Sequence, residues 1–180
     1  MQPIKILTQT LARFADDEHY LFSFADLKAA LPDHSRSAFK ALMFRAVKDG
    51  LLKRVCRGLY LYPGANYAGG LELFHAAAKL RAGAFNYISL ETALSDAGVI
   101  SQIPINWITL MSSGRSNIVD CHEYGHIEFI HTKKRPTNLS QDISYDPISH
   151  LWRASVDLAI RDMRSTKRST MDLIDWSEVK

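Results

Sequence analysis

The feature that most constrains this chain is a change of period between Ser35 and Tyr62. From Ser35 to Lys48 the apolar residues Phe39, Leu42, Met43, Ala46 and Val47 recur at i, i+3, i+4, i+7 and i+8, one stripe of an α-helix. Ser35 or Asp33 caps its start, and Gly50 supplies the left-handed residue that ends it. Immediately afterwards the pattern turns to two short β-prone runs, Leu51 to Val55 and Leu59 to Tyr62. Cys56-Arg57-Gly58 joins them and Pro63-Gly64 stops the second.

Upstream, Ile4, Leu7, Leu11 and Phe14 at helical spacing predict a first helix that ends before Asp16-Asp17-Glu18. Ser23 is the N-cap of a second, short helix carrying Leu27 and Leu31 and closed by Pro32. Three helices followed by a two-stranded hairpin is the winged helix-turn-helix order. The expected domain is residues 1–65, with Ser35 to Lys48 as its recognition helix.

Charge falls where such a domain uses it. Of the chain's net +3, residues 1–64 hold ten Lys and Arg against six Asp and Glu, and the remainder twelve against thirteen. The basic excess lies wholly in the N-terminal third, which favours an anionic polymer over a small substrate. Off the apolar stripe lie Ser35, Arg36, Ser37, Lys40, Arg45 and Lys48. The N-terminal part of a recognition helix meets base edges, so Arg36, Ser37 and Lys40 are the candidates for base contact. Arg45 and Lys48 lie further along, toward phosphate. Lys53, Arg54 and Arg57 put charge on the wing, against backbone or minor groove. Phe44 breaks the polar pattern and either packs under the wing or joins a dimer contact.

Asn66 to Gly70 is a polar, glycine-rich joint, and residues 66–180 form a second domain of α+β class with a smaller sheet. Helices are predicted over Leu71 to Leu80 and Leu90 to Ala97, the latter ended by Gly98. Strands are predicted over Asn86 to Ser89, Trp107 to Met111, Asn117 to Cys121 and His126 to His131. After a polar loop, 132–147, the spacing of Ile148, Leu151, Trp152, Ser155, Leu158 and Ala159 predicts a closing helix.

Catalytic signatures are missing: no phosphate-cradling glycine loop, no G-x-S-x-G elbow, no H-E-x-x-H. Neither catalysis nor a cofactor is expected. Cys121, His122, His126 and His131 invite a metal reading, but His126 and His131 sit an odd number apart on one strand and face opposite ways, so no metal site is assigned. A late basic set remains: Lys133, Lys134 and Arg135 in a loop, then Arg161, Arg164 and Arg168 on one helical face. It is either a solvated face or a partner or nucleic-acid surface. No run reaches the roughly 20 apolar residues that cross a bilayer, no signal-peptide pattern opens the chain, and two cysteines fit a reducing compartment. The cytoplasm is the expected location.

The run Gly50-Leu51-Leu52-Lys53-Arg54-Val55-Cys56-Arg57-Gly58-Leu59-Tyr60, closing a winged helix, resembles the N-terminal domain of AbiEi-type antitoxins. Tyr87-Ile88-Ser89-Leu90-Glu91-Thr92-Ala93-Leu94 with Gly98, and Ala154-Ser155-Val156-Asp157-Leu158, are similar to later segments of that family. The resemblance covers most of the chain through loose motifs of core and turn residues, and the chain is short for the family. It implies an autorepressor that binds inverted repeats in its own promoter DNA. It also implies an antitoxin of a type IV toxin–antitoxin system, acting against a nucleotidyltransferase toxin with or without a stable complex. The alternatives are a winged-helix regulator whose second domain senses a ligand or dimerises, and a nucleic-acid-processing enzyme that docks through the winged helix.

Overall fold

The structure, a computed structural model, describes residues 2–101 and 103–179. It is of α+β class and divides into two compact units, Met1–Leu71 and Glu72–Lys180. Tyr67 stacks on Tyr20 with ring centroids 4.0 Å apart, which ties the polar joint after residue 65 to the first unit.

In the first unit, α1 (Pro3–Phe14) buries Leu7 and Leu11 and leaves Phe14 exposed, although its spacing puts it on the apolar face. A strand that the pattern does not announce, β1 (Leu21–Ser23), follows. Three residues between a charged loop and a helix are too few to show alternation. Ser23 ends β1 and caps α2 (Phe24–Ala29) through a reciprocal box: its Oγ accepts from Asp26 N at 3.1 Å, and Asp26 Oδ2 accepts from Ser23 N at 2.8 Å. Of the two possible caps for α3 (Arg36–Lys48), Ser35 is used, its Oγ accepting from Ala38 N at 3.2 Å.

Phe39, Leu42, Met43 and Ala46 of α3 close over Leu7, Leu11, Leu27, Leu31 and Leu52 to form one core; Val47 is only partly buried at its margin. Gly50, at φ +77°, lets the chain leave α3 in the left-handed region. β2 (Lys53–Cys56) and β3 (Leu59–Leu61) then form an antiparallel hairpin with a register shift between Arg54 and Cys56. β1 pairs with the other side of β3, giving the order β1-β3-β2.

In the second unit, a mixed sheet of six strands runs in the order β6-β7-β5-β4-β9-β8. Its strands are β4 (Asn86–Ile88), β5 (Trp107–Ser112), β6 (Asn117–Asp120), β7 (His126–His131), β8 (Ile143–Asp146) and β9 (Leu151–Ala154). The sheet is therefore not the small one expected. The segment read as a polar loop supplies β8, and the first part of the expected closing helix is instead β9. Pairing decides this. Leu151–Ala154 is held between β8, antiparallel, and β4, parallel, so its backbone groups find partners on both sides and local helical spacing is overridden. Ile148 lies in the β8–β9 turn and is exposed, and so is Trp152. The helix proper, α6 (Val156–Ser165), starts five residues after Leu151, with Ser155 Oγ accepting from Leu158 N at 3.2 Å.

All three residues of β4 are buried, as a central strand covered on both faces requires. Tyr87 reaches α6 on one side, and Asn86 Nδ2 donates to the carbonyls of Arg81 and Ala84 on the other, just past α4 (Glu72–Leu80). From β4 the chain passes through Leu90, buried and at φ +56°, into α5 (Leu90–Asp96). A left-handed leucine is costly, about 1–3 kcal/mol, and persists only where its surroundings fix it. Here cross-links between Thr92 and Thr109 of β5 do so: each backbone N–H donates to the other's hydroxyl, at 2.8 and 3.1 Å. Among the described residues, no helix is long and apolar enough to cross a membrane.

Candidate functional site

At 100° per residue, the centre of the α3 face opposite its buried stripe is Ser37, Ala41, Phe44 and Lys48. Arg36 and Lys40 flank it on one side and Arg45 on the other. All of these side chains are exposed. Ser35 is exposed too, but its hydroxyl is engaged in the helix cap and in a 3.1 Å contact with Ser37 Oγ.

Lys40 lies on the hairpin side of α3. With Phe44, Met43 and Val47 it lines a hollow whose other wall is Phe24, Arg54 and Tyr60. Arg54 and Tyr60 are cross-strand partners in the hairpin, and Lys53 stands opposite Leu61. Arg57 is exposed in the turn between the strands, where Gly58 takes φ +80°. Lys40 and Arg54 thus share one hollow between helix and hairpin, while Arg36 and Lys48 are exposed on α3 and Lys53 and Arg57 on the hairpin. Arg45 looks away from the hairpin, into a hollow with Gln2, Pro3 and Asp49.

Phe44 is 72% exposed. An exposed aromatic ring bordered by lysine and arginine suits contact with a base or a thymine methyl. The helical wheel marks the residue as out of place but does not give it a role.

The late basic set is dispersed by the fold. Lys134 Nζ lies 2.5 Å from Asp162 Oδ1, a carboxylate of α6 with 0% exposure. Asp162 Oδ2 also accepts from Tyr87 OH at 3.0 Å and Ser89 Oγ at 2.7 Å. Burial and the neighbouring Asp162 charge push the Tyr87 phenol well above its ordinary range, so it remains a donor to that carboxylate. Arg161 pairs with Asp142 at 2.8 Å, and Arg164 lies over the Trp176 ring. Lys133 and Arg135 are exposed.

Arg168 is not on the face of α6 at all. The helix stops at Ser165, Lys167 takes φ +54°, and the guanidinium turns inward. Its Nη1 and Nη2 donate to Glu128 Oε1 and Oε2 at 2.7 and 2.9 Å, and its Nε donates to Glu91 Oε1 at 2.7 Å. Lys134 and Arg168 are thereby each paired with acids inside the unit, Lys134 while still partly exposed.

Glu91, Glu128 and Arg168 form one wall of a cavity of about 300 Å³. Trp107, Ile103 and Pro104 make its apolar side, and Trp107 Nε1 donates to Glu128 Oε2 at 3.2 Å. His126 stacks on the Trp107 ring at 4.8 Å and steadies it. Burial opposes ionisation of Glu128, but the hydrogen bonds and charge of Arg168, with help from Trp107, outweigh it and hold the carboxyl below its ordinary value. Glu91 is 5% exposed, and its Oε1 takes Arg168 and Thr170, whereas its Oε2 is buried and meets no donor. A buried acceptor left without a partner costs about 1–3 kcal/mol, more when charged.

Neither glutamate stands out from sequence as a site residue. Glu128 does leave a signal, as a charge between Ile127 and Phe129, which are buried while it faces the other way. Its partner forty residues later is beyond any spacing rule. Cys121 is buried, His126 lies against Trp107, and His131 Nδ1 donates to the Gly114 carbonyl at 2.9 Å. Among the described residues, no group of three or more His, Cys, Asp or Glu is placed to hold a metal ion. No family model matches the chain, and no curated protein matches it either.

Proposed function

We propose that the first unit is a winged helix-turn-helix that binds double-stranded DNA, and that the protein is the autorepressor and antitoxin of a type IV toxin–antitoxin system. The observation that carries the DNA reading is the exposure of seven basic residues, Arg36, Lys40, Arg45, Lys48, Lys53, Arg54 and Arg57, on α3 and the β2–β3 hairpin. A helix, a short strand, two helices and a hairpin follow one another, an order that supports the winged-helix reading. In that arrangement α3 enters the major groove with Arg36, Ser37 and Lys40 toward base edges, while Lys53, Arg54 and Arg57 lie along the backbone. Non-specific attraction comes from released counterions, and sequence preference from the few side chains of α3 that reach base edges.

The antitoxin role rests on the resemblance of the hairpin sequence and of the segment from Tyr87 to Leu94 to AbiEi-type antitoxins. Its partner would be a nucleotidyltransferase toxin, countered with or without a stable complex.

A gel-shift with the DNA upstream of the gene tests the first part: saturable, competitor-resistant binding supports it, and binding no tighter than to unrelated DNA overturns it. Co-expression with an adjacent nucleotidyltransferase gene tests the second. Rescue of growth supports the antitoxin role, and failure to rescue removes it.

A further inference from the structure

We propose that the cavity beside Glu91 binds a small organic cation with an apolar, preferably aromatic, body and an N–H-bearing head of the amine or amidine class. The site lies wholly within the second unit and does not depend on the DNA reading.

Three observations select this ligand. The first is charge. The polar wall holds two carboxylates, Glu91 and Glu128, against one guanidinium, Arg168, so a bound cation balances the site and an anion does not. The second is hydrogen-bonding capacity. Glu128 accepts at both oxygens and Glu91 at Oε1, which leaves the buried Glu91 Oε2 as the acceptor still to be used. A carboxylate oxygen can only accept, so its complement is an N–H or O–H donor. The third is the apolar part of the lining. The Trp107 indole, Ile103 and Pro104 offer an apolar surface, and an indole ring attracts a cation.

A volume of about 300 Å³ is at the small end of ligand sites and suits a single ring with its head group. The wall is also built in advance. Arg168 is held by three charged hydrogen bonds, and Glu91 follows the left-handed Leu90, fixed in place at the start of α5. Little ordering is then left to oppose binding.

The test uses benzamidine as probe, with benzoate as the isosteric anion, against the full chain. Side-chain N–H resonances of the three tryptophans are followed by NMR, with Trp152 and Trp176, both exposed and away from the cavity lining, as internal references. The expected result is saturable movement of the Trp107 resonance alone, with a Kd of about 1 mM or tighter, a range that fragments reach. Benzoate should leave Trp107 unmoved. Glu91→Gln should weaken benzamidine binding at least about tenfold, and Ile103→Trp, which fills the cavity while leaving the ion-paired residues themselves unchanged, should abolish it.

The proposal is overturned if neither compound moves Trp107, if benzoate binds as well as benzamidine, or if all three tryptophans move together. Because those readouts use the unaltered protein, a variant that failed to fold would not rescue the idea. Unchanged binding by folded Ile103→Trp would also overturn it.

Discussion

Arg168 closes both oxygens of Glu128 in a two-pronged contact, Nη1 to Oε1 at 2.7 Å and Nη2 to Oε2 at 2.9 Å, across forty residues of chain. The pairing fastens the segment after α6 to strand β7 in the sheet. Arg168 also engages Glu91 through Nε, so one guanidinium holds three parts of the second unit together. Those hydrogen bonds to Glu128 and Glu91, working against burial, keep its charge far beyond the reach of ordinary pH.

This cluster makes stability depend on acid. Glu128 has a folded pKa below its ordinary value of 4.5, so its contribution is complete above that value and fades as pH falls through the lower, folded one. Thermal unfolding followed from about pH 6 down to about pH 3 should therefore show a steeper loss for the natural protein than for Glu128→Gln. Equal slopes would mean that the pairing with Arg168 contributes nothing to folding.

Lys134 and Asp162 give a second test inside the same unit. Asp162 keeps Tyr87 and Ser89 as donors if the lysine is removed, so its carboxylate is not left bare. Lys134→Met should cost about 1.5–3 kcal/mol, the range for a hydrogen bond to a charged group, and fall toward its lower end because the lysine is partly exposed. Asp162→Ala should cost more, since it strands two buried hydroxyls and a lysine. Denaturant unfolding of the two variants decides the order, and a larger loss for Lys134→Met would contradict this account of the pair.

The contrast between the units shows what a sequence reveals. In the first, structure is local: Ser23 and Ser35 cap helices within three residues of themselves, Gly50 ends one, and the apolar stripe of α3 is legible as spacing. In the second, the decisive relations are distant. Leu151–Ala154 is a strand because β4 and β8 flank it, and Arg168 is internal because Glu91 and Glu128 await it. Helical spacing puts both on a helix, since a pattern of period 3.6 records what neighbours along the chain favour and not what arrives from elsewhere. The basic set from Lys133 to Arg168 looks continuous for the same reason. Its charges are visible in sequence, whereas the acids that occupy Lys134, Arg161 and Arg168 are 28, 19, 40 and 77 residues away.

Phe44 separates stability from recognition. Its ring is largely exposed, so Phe44→Ala should change stability by no more than about 0.5 kcal/mol. If the ring meets a thymine methyl, the same change should weaken binding to the upstream DNA. Replacing thymine by uracil throughout that DNA should then weaken the natural protein and leave Phe44→Ala little further affected. An equal uracil effect on both proteins would take Phe44 out of the interface.

Lys40 and Arg57 distinguish reading from attraction. Lys40 stands on α3 next to the helix centre, whereas Arg57 is at the tip of the hairpin. Lys40→Ala should relax preference at one base pair, at a cost of about 1–3 kcal/mol for the preferred sequence and less for others. Arg57→Ala should weaken every sequence alike. The logarithm of its affinity should also fall less steeply with the logarithm of salt, by about 0.9 for each phosphate that is no longer neutralised. Both follow from where the charge sits: a side chain at a base edge discriminates, while one at a phosphate only releases counterions. Binding isotherms at several salt concentrations, on the upstream DNA and on an unrelated duplex, measure the two effects side by side. Lys40→Ala and Arg57→Ala shifting both DNAs equally would leave α3 without a reading role, and no shift in either would remove the surface from DNA altogether.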